Sequence, residues 1–465
     1  MFSPNAYSHR RNALASLIEG NGLIAIFGNE YSPMNYEDNI YPFRQDSNFL
    51  YFAGINEAHH LLLINLDDGK CTIYGDDLSL DHIVWMGEQQ SMAEKSTAIN
   101  ADSYGSYQDG LDTIKQVAQQ GGTVHYLPPY RTDRVELLAD CLDMSMSAVR
   151  HNFSEPLTKA VIRLRSTKSD AEVKEMELAV NITRDMHHAA MRALTVGQLE
   201  ADIAGLVEGI AIKGQGRLAY PCIATVNGQI LHNHHHHTQT EEGQLFLLDS
   251  GASSPTQYAG DITRTFPVST KFTPFQKDIY QIVLDAQEAA IINLRPGYRF
   301  LDAHLTSAKV IAKGLTDLGL MKGDPAEAVE AGAHALFFPH GLGHMIGLDV
   351  HDMEDLNEDW VGYDETIARS SQFGLKSLRL AKSLEAGHVL TVEPGIYFIP
   401  ALIERWASES QHSSFINYEE VRKHSDFGGI RIEDNILITS DNHRILGKSI
   451  AKKIAEVEQL RQGVG

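Results

Sequence analysis

Four acidic residues and one histidine in the C-terminal half of the chain have the types and settings of metal ligands. They are Asp249 in LLDSG, Asp261 in AGDITRTF, His344 in HGLGH, Glu393 in TVEPGIYF and Glu433 in GIRIEDN. Each lies at the end of, or within, an apolar run typical of a buried strand, where an uncompensated carboxylate is very costly. Four gathered carboxylates would repel one another, and two divalent cations would neutralise them. An oxygen-rich set with one imidazole favours an ion such as Mn²⁺, so these residues predict a two-metal hydrolytic centre.

The apolar runs beside these residues predict the strands that position them. The runs lie at residues 245–248, 258–266, 389–393 and 430–433. Because side chains alternate along a strand, Arg431 and Glu433 share one face of the last run. Arg431 would therefore lie beside the Glu433 carboxylate and steady it without binding metal itself.

The first 150 residues alternate short apolar runs with helical patterns, which predicts an α/β domain with a mostly parallel sheet. Gly22–Phe27 and His60–Asn65 have the composition of strands. Residues 152–168 contain Pro156 and several basic residues, and we interpret them as a connector. The expected division is an N-terminal α/β domain, residues 1–155, and a larger α+β catalytic domain, residues 156–465.

The composition excludes several classes of function. A chain of 465 residues is long enough for two or three domains with substantial cores. Its formal charge of −22 argues against nucleic acid, which needs clustered Lys and Arg. Three widely spaced cysteines give neither a disulfide framework nor a zinc motif. We find no signal-peptide core and no apolar run of membrane-spanning length, so we expect a cytoplasmic protein without membrane partners.

Five segments together resemble the proline-specific branch of the "pita-bread" metallopeptidases, namely Xaa-Pro dipeptidase (prolidase) and aminopeptidase P. They are YPFRQDSNFLYFAG at 41–54, AGDITRTFPVSTKFT, FPHGLGHMIGLDVHD, LTVEPGIYFI and GGIRIEDNILI. One such motif alone would be a weak signal, whereas five in order cover most of the chain. The resemblance implies a creatinase-like, aminopeptidase P-like N-terminal α/β domain followed by a pita-bread catalytic domain.

The resemblance also implies a role for each acidic residue. Asp249 would bind one metal, Asp261 and Glu433 would bridge both, and His344 and Glu393 would complete the two coordination shells. A hydroxide held between two divalent ions, expected to be Mn²⁺, would attack the peptide carbonyl. Glu393 would act as the general base that manages its proton.

Three further histidines match the non-ligand histidines of this family: His232 in ILHN, His340 in PHG and His351 in DVHD. The resemblance implies that they bind substrate, hydrogen-bond the oxyanion or assist departure of the proline nitrogen. The sequence departs from many relatives at Asn233, where they have tyrosine. The interval from Asp249 to Asp261 is also one residue longer than in some relatives.

The choice between the two proline-specific activities depends on Arg379. In the dipeptidases, an arginine at this position is understood to clamp the C-terminal carboxylate of the substrate. A fork-shaped guanidinium at a set distance from the metals would measure substrate length. We therefore favour a dipeptidase acting on small proline-containing peptides. AGDITRTFPV and RQDSNFLYFAG also resemble aminopeptidase P, so an Xaa-Pro aminopeptidase that acts on longer peptides is the alternative.

Other interpretations of the same residues stay open. Asp249 could cap a turn, and Arg379 could be one of several basic residues on a solvated helix. The run His234–His237 is hydrophilic, and we interpret it as a solvated loop beside His232. Methionine aminopeptidase usually lacks so large an N-terminal domain, and creatinase lacks the ligand set. A non-catalytic binding protein of the same fold is the remote alternative. Relatives are often dimers or tetramers, so we expect a homo-oligomer.

Overall fold

The computed structural model describes residues 2–463, which form two compact units that divide between Arg165 and Ser166. The expected division after residue 155 falls at the first residue of a helix, Glu155–Ser166. In the described part of the chain, no helix is both long enough and apolar enough to cross a membrane.

Among the described residues, the N-terminal unit contains eight helices and five strands. They are α1 (Pro4–Ser16), β1 (Leu23–Phe27), α2 (Ser47–Ala53), β2 (Leu61–Asn65), β3 (Cys71–Tyr74), α3 (Leu80–Met86), α4 (Met92–Ala98), β4 (Ser103–Gly105), α5 (Tyr107–Gln119), β5 (Val124–Tyr126), α6 (Thr132–Leu142), α7 (Met146–His151) and α8 (Glu155–Ser166).

The sheet of this unit has the order β4-β3-β2-β1-β5 and is mixed, so the prediction of a mostly parallel sheet is wrong. β2 pairs antiparallel with both β1 and β3, whereas β1 with β5 and β3 with β4 are parallel. The reason is the short turn Leu66–Lys70 between β2 and β3, where Gly69 has a φ of 70°. A tight turn can join only antiparallel neighbours.

Most of the predicted connector at 152–168 is helix α8, and the division between the two units falls inside this range. Pro156 is the second residue of that helix, where its missing N–H has no helical partner to lose. The long helix that follows begins at Asp170 and is capped by Ser169. Ser169 and Glu172 form a reciprocal capping box.

The C-terminal unit contains nine α-helices, two short 3₁₀ turns and eight strands among the described residues. They are α9 (Asp170–Ala193), α10 (Glu200–Lys213), β6 (Ile223–Thr225), β7 (Leu245–Asp249), β8 (Thr263–Pro267), α11 (Pro274–Ile291), α12 (Phe300–Asp317), α13 (Pro325–Ala331), a turn (Ala333–Leu336), α14 (Glu354–Gly362), a turn (Leu375–Ser377), β9 (Val389–Val392), β10 (Gly395–Tyr397), α15 (Pro400–Ser408), α16 (Tyr418–Arg422), β11 (Gly429–Arg431), β12 (Asp434–Ile438), β13 (His443–Ile445) and α17 (Ile454–Arg461).

Three small sheets in this unit, with orders β6-β7-β8, β9-β12-β13 and β10-β11, position the acidic residues. Asp249 ends β7 as predicted, and Glu393 directly follows β9. Asp261 lies before β8 rather than inside a strand from 258 to 266. Its backbone N–H and C=O are bound by the side chain of Asn435 instead of a neighbouring strand. Glu433 lies between β11 and β12 rather than within one strand.

Candidate metal centre

One cavity of about 510 Å³ in the C-terminal unit contains every residue singled out for the site. Its lining includes the five predicted ligands and five predicted partners: Asp249, Asp261, His344, Glu393, Glu433, His232, His340, His351, Arg379 and Arg431. These residues come from strand ends and loops far apart in the sequence. The fold therefore brings together a constellation that the sequence shows only as separate motifs.

Asp261, His344 and Glu433 form the tightest cluster in this cavity. One potential ligand atom from each lies within 4.8 Å of the others, and the described residues contain no other such group of three or more. His344 Nε2 is 3.3 Å from Asp261 Oδ2 and 3.5 Å from Glu393 Oε1. Glu393 thus extends the cluster from one side.

The ring of His344 is oriented by its own backbone. Its Nδ1 donates a hydrogen bond of 3.0 Å to the carbonyl of Met345, an oxygen that can only accept. Nε2 is then the nitrogen that faces the carboxylates. A histidine held through Nδ1–H with Nε2 free toward acidic groups has the usual arrangement of an imidazole ligand.

A close backbone approach places His344 beside Glu393. The amide of Thr391, in β9, donates to the carbonyl of His344 at 2.9 Å, and the amide of Glu393 donates to the carbonyl of Leu342 at 2.8 Å. A Cβ on Gly343 would lie 2.0 Å from the Thr391 carbonyl oxygen. The second glycine of HGLGH is therefore required for this loop to pack on β9.

Asp249 is held by two donors. Arg431 Nη2 donates to its Oδ2 at 2.5 Å, and the hydroxyl of Tyr220 is 2.7 Å from its Oδ1. The same hydroxyl is 2.5 Å from Asp261 Oδ1, so one phenol proton lies between two carboxylates. Arg431 thus contacts Asp249 directly, whereas the sequence predicts contact with Glu433.

Arg431 reaches Glu433 through an intermediate. Arg431 Nε donates to the hydroxyl of Thr263 at 3.1 Å, and that hydroxyl donates to Glu433 Oε2 at 2.7 Å. The other oxygen, Glu433 Oε1, is buried without a hydrogen-bond partner among the described residues. A buried carboxylate oxygen with no donor is strongly unfavourable unless a cation compensates it.

The pKa values of the clustered side chains show the effect of the crowded negative charge. Burial raises the pKa of Glu433 well above its ordinary value, and the charges of Asp261, Glu393 and Asp249 add to the effect. Burial likewise raises the pKa of Glu393 to about 7. Burial lowers the pKa of His344, but its hydrogen bond to Asp261 and the charge of Glu393 outweigh it, so the net pKa is about 9. The donor set, the crowded negative charge and the unpartnered oxygen all fit divalent cations.

The three non-ligand histidines occupy different positions in the cavity wall. His351 lies against His344, with ring centroids 4.2 Å apart. His232 lies beside His234, with centroids 6.3 Å apart. His340 has both ring nitrogens engaged, Nδ1 with the carbonyl of Gly341 at 2.8 Å and Nε2 with the hydroxyl of Tyr397 at 2.9 Å. Burial, with the charge of Arg431, lowers the pKa of His340 to about 3. His340 is therefore neutral, and protein groups occupy both of its nitrogens.

Arg379 lies in the cavity wall and is already paired. Its Nη1 donates to Glu354 and lies 2.8 Å from His351 Nδ1. Glu354, Tyr220, Thr263 and Tyr397 were not predicted as site residues. A tyrosine or threonine in an apolar run is typical of an ordinary core position, so no sequence signal separated these residues from the core. Glu354, three residues after the motif histidine His351 in HDMED, was the one of the four with a usable sequence signal.

The run His234–His237 has no regular secondary structure, and three of its four side chains are exposed. His234 contributes to the cavity lining, and His235 and His237 have ring centroids 5.9 Å apart. The arrangement agrees with the predicted solvated loop at the edge of the site.

A cavity lined by four carboxylates and a buried imidazole, in a two-unit fold of helices and sheets, has the chemistry of a metal-dependent hydrolase. The model of metallopeptidase family M24 matches residues 174–440, and that of the aminopeptidase P N-terminal domain matches residues 7–125. The chain belongs to metallopeptidase family M24. The predictions of a metallopeptidase, of its proline-specific pita-bread family and of its fold class are thereby confirmed.

The similar proteins carry both of the expected names. Human Xaa-Pro dipeptidase is 29% identical over 96% of this chain and 90% of its own length. A probable Xaa-Pro aminopeptidase from Aspergillus clavatus is 31% identical over 99% of this chain and 93% of its own length. The structure of Pseudomonas aeruginosa aminopeptidase PepP covers 100% of this chain and 99% of its own, at 27% identity and a TM-score of 0.82. A zinc-substituted Escherichia coli aminopeptidase P in complex with product has a TM-score of 0.81 at 29% identity, with 100% and 99% coverage.

Proposed function

We propose that this metallopeptidase hydrolyses the bond before proline, with dipeptides as its preferred substrates. The observation that carries the proposal is Arg379, which lies in the wall of the same cavity as the acidic cluster. A guanidinium at a set distance from the reacting centre favours one position of a free carboxylate. The relatives named Xaa-Pro dipeptidase support the same substrate class.

The five residues proposed to hold two divalent ions are Asp249, Asp261, His344, Glu393 and Glu433. We propose Mn²⁺ because the set is rich in oxygen and contains a single imidazole. When bound, such ions supply Lewis acidity to the scissile carbonyl and activate water at neutral pH. A simple ion pair between Arg431 and Asp249 would need no other acidic residues nearby. The three further carboxylates crowded beside Asp249 therefore support a role in metal binding.

The remaining residues act through hydrogen bonds and proton transfer. Glu393 follows β9 at the cavity and has a pKa raised by burial to about 7, which suits a group that takes and returns a proton near neutral pH. His351, beside His344, is placed to donate to the developing oxyanion or to the departing proline nitrogen. His232 and Arg379 would bind the substrate, and His340 would support the site through Tyr397 and Arg431.

The second candidate is an Xaa-Pro aminopeptidase that acts on longer peptides. Two observations favour it: the full-length likeness to aminopeptidase P structures, and the pairing of Arg379 with Glu354, which lowers its attraction for a carboxylate. In either case we propose a cytoplasmic homo-oligomer, a dimer or tetramer, in which residues 1–155 form the N-terminal domain and 156–465 the catalytic domain.

The test is hydrolysis of Ala-Pro and Ala-Pro-Ala by chelator-treated protein with and without Mn²⁺. We expect Mn²⁺-dependent cleavage of Ala-Pro and little cleavage of the tripeptide, and an Arg379→Met variant that loses this preference. Faster cleavage of Ala-Pro-Ala would establish the aminopeptidase instead. No cleavage of either peptide by metal-loaded protein would contradict the proposed substrate class.

A further inference from the structure

A single carboxylate that does not line the cavity joins two residues that do. Glu354 Oε2 accepts from Arg379 Nη1 and lies 3.2 Å from His351 Nδ1. Arg379 Nη1 is in turn 2.8 Å from His351 Nδ1. The three side chains form a compact triad in which Glu354, behind the cavity wall, joins the proposed carboxylate clamp Arg379 to His351, the histidine beside the acidic cluster.

Hydrogen bonds to the backbone join helix α14 to the segment that carries Arg379. Glu354 begins helix α14, whose last residue, Gly362, accepts from the amides of Ala381 and Lys382 at 2.8 and 2.9 Å. The hydroxyl of Tyr363 donates to the carbonyl of Leu378 at 2.8 Å. The segment that carries Arg379 is thus bound to the end of α14, beyond a break in the helical backbone at Asn357, while Glu354 at the start of α14 contacts Arg379 directly.

The charges show what the triad does to Arg379. The guanidinium of Arg379 has only hydrogen-bond donors, and Glu354 accepts from one of them, Nη1. Glu354 Oε1 is buried without a hydrogen-bond partner among the described residues, so the carboxylate acts through one oxygen on both neighbours. The next carboxylate, Glu358, is 4.0 Å from Arg379 Nη1 and more exposed. A peptide carboxylate that enters the cavity must therefore compete with Glu354 for Arg379.

We infer that Glu354 is a positioning and specificity-determining residue that holds Arg379 and His351 together and limits the attraction of the cavity for a substrate carboxylate. The inference rests on the proposed function, because it takes Arg379 as the group that binds the C-terminus of the peptide. Glu354 does not line the cavity. It acts through its two neighbours, and it ties recognition of the carboxylate to the orientation of His351.

Removal of the charge of Glu354 separates its effect on the attraction of Arg379 for a carboxylate from its effect on the orientation of His351. A Glu354→Gln variant keeps the shape and one acceptor oxygen, but leaves the charge of Arg379 uncompensated. Ground-state binding of a peptide acid then strengthens, while binding of the corresponding amide does not change. The weaker hold on His351 slows turnover of both. A purely structural role would instead weaken binding and turnover of acid and amide alike.

The first test is calorimetric binding of Ala-Pro and Ala-Pro amide to metal-stripped protein, where no turnover occurs. We expect the acid-over-amide preference to rise about threefold in Glu354→Gln. We expect it to collapse in Arg379→Met and to be equally low in the double variant, because Glu354 acts through Arg379. Glu358→Gln is the matched control and should change the preference far less. An unchanged preference in Glu354→Gln, or native protein that does not distinguish acid from amide, would overturn the inference.

The second test is steady-state hydrolysis of the same two compounds by Mn²⁺-loaded protein. In Glu354→Gln we expect a lower kcat for both and a lower KM for the acid only. Equal changes in KM for acid and amide would also overturn the inference. Failure of the proposed function has a different signature, namely native protein that cleaves neither compound while the calorimetric preference still responds to Glu354.

Discussion

At the scale of single residues, the acidic cluster is organised by donors that do not bind metal. Tyr220 is the clearest case, because its hydroxyl lies between Asp249 and Asp261. Groups that orient ligands in this way typically change metal affinity tenfold to a hundredfold when removed, by rough estimate. Their identity matters as much as that of the carboxylates.

We predict that Tyr220→Phe weakens Mn²⁺ binding by about tenfold to a hundredfold without unfolding the protein, because the two carboxylates lose their common donor. The measurement is competition for Mn²⁺ against a chromogenic chelator. Tyr258→Phe is the control, since its hydroxyl donates to Glu172 rather than to a proposed ligand. Equal Mn²⁺ affinities for native protein and Tyr220→Phe would show that the hydroxyl has no part in metal binding.

The raised pKa of Glu393 predicts how the metal-free protein responds to pH. Burial raises this pKa from 4.5 to about 7, so the folded state binds the proton more tightly than the unfolded state. The corresponding stability is fully present below pH 4.5 and is lost as the pH rises through about 7. At 1.36 kcal/mol per pH unit, the loss is roughly 3 kcal/mol.

Urea unfolding of chelator-treated protein between pH 4.5 and 8 measures this loss. Glu393→Gln should reduce the pH dependence by about this amount, because the amide does not titrate, and the raised pKa of Glu433 accounts for a remainder. Saturating Mn²⁺ should oppose the loss in native protein, because cations favour the ionised carboxylate. The same slope in native protein and Glu393→Gln would assign the effect to another group.

The sequence singled out the acidic residues that line the cavity, but not most of the side chains that hydrogen-bond to them. Glu393 before Pro-Gly has little structural purpose, whereas Asp249 at the end of an apolar run could also cap a turn, so the five residues point to metal only when they are taken together. Tyr220 and Thr263 are compatible with an ordinary core, and only three-dimensional contact reveals their partners. Arg431 illustrates the limit: strand alternation placed it near Glu433, but its side chain reaches Asp249.

At the scale of elements, the irregular segment between His344 and α14 carries His351, leads into Glu354 and needs its own support. A buried ion pair supplies it. Lys168 Nζ is 2.9 Å from Asp352 Oδ2, and each side chain is only 1% exposed. Because both side chains are almost fully buried, removal of Lys168 takes away the ammonium that faces the buried Asp352 carboxylate. Lys168 precedes α9, so the pair ties this segment to the start of the C-terminal unit.

We predict that Lys168→Met lowers the free energy of unfolding by about 3–5 kcal/mol, whereas the double variant Lys168→Met/Asp352→Leu recovers much of it. Chemical denaturation of the metal-free variants is the measurement. Lys313→Met is the control, because its ion pair with Asp317 on α12 is exposed and should contribute less than about 1 kcal/mol. A loss for Lys168→Met no larger than that of the control would mean that the pair does not support the segment.

The ends of helices and strands were predictable only where one clear local signal, such as an apolar run or a helix cap, marked them in the sequence. The apolar run that ends on Asp249 and the capped start of α9 at Asp170 are clear in the sequence. The strand expected through Asp261 is shortened by the side chain of Asn435, a contact 174 positions away. Helix α8 was hidden because Pro156 is typical of connectors as well as of the first turn of a helix.

At the scale of the whole molecule, an apolar surface on the N-terminal unit bears on the proposed oligomer. Helix α3 has no buried residue, and its side chains Leu80, Val84 and Trp85 are 76%, 75% and 84% exposed. A cluster of large apolar side chains of this kind typically marks a site of protein association. Since most soluble oligomers are symmetric assemblies of one chain, a second copy is the partner we propose for α3.

The corresponding prediction is that native protein is a dimer or tetramer by light scattering, and that Trp85→Asp shifts it toward monomer. The substitution should not affect folding, because α3 contributes no side chain to a core. Ile292→Asp is the matched control, since Ile292 is 73% exposed and lies outside α3. An oligomer that survives Trp85→Asp would place the interface elsewhere, and a monomeric native protein would contradict the proposed assembly. Because α3 lies in the unit that lacks the acidic cluster, loss of the oligomer with unchanged Mn²⁺ binding would separate assembly from the metal centre.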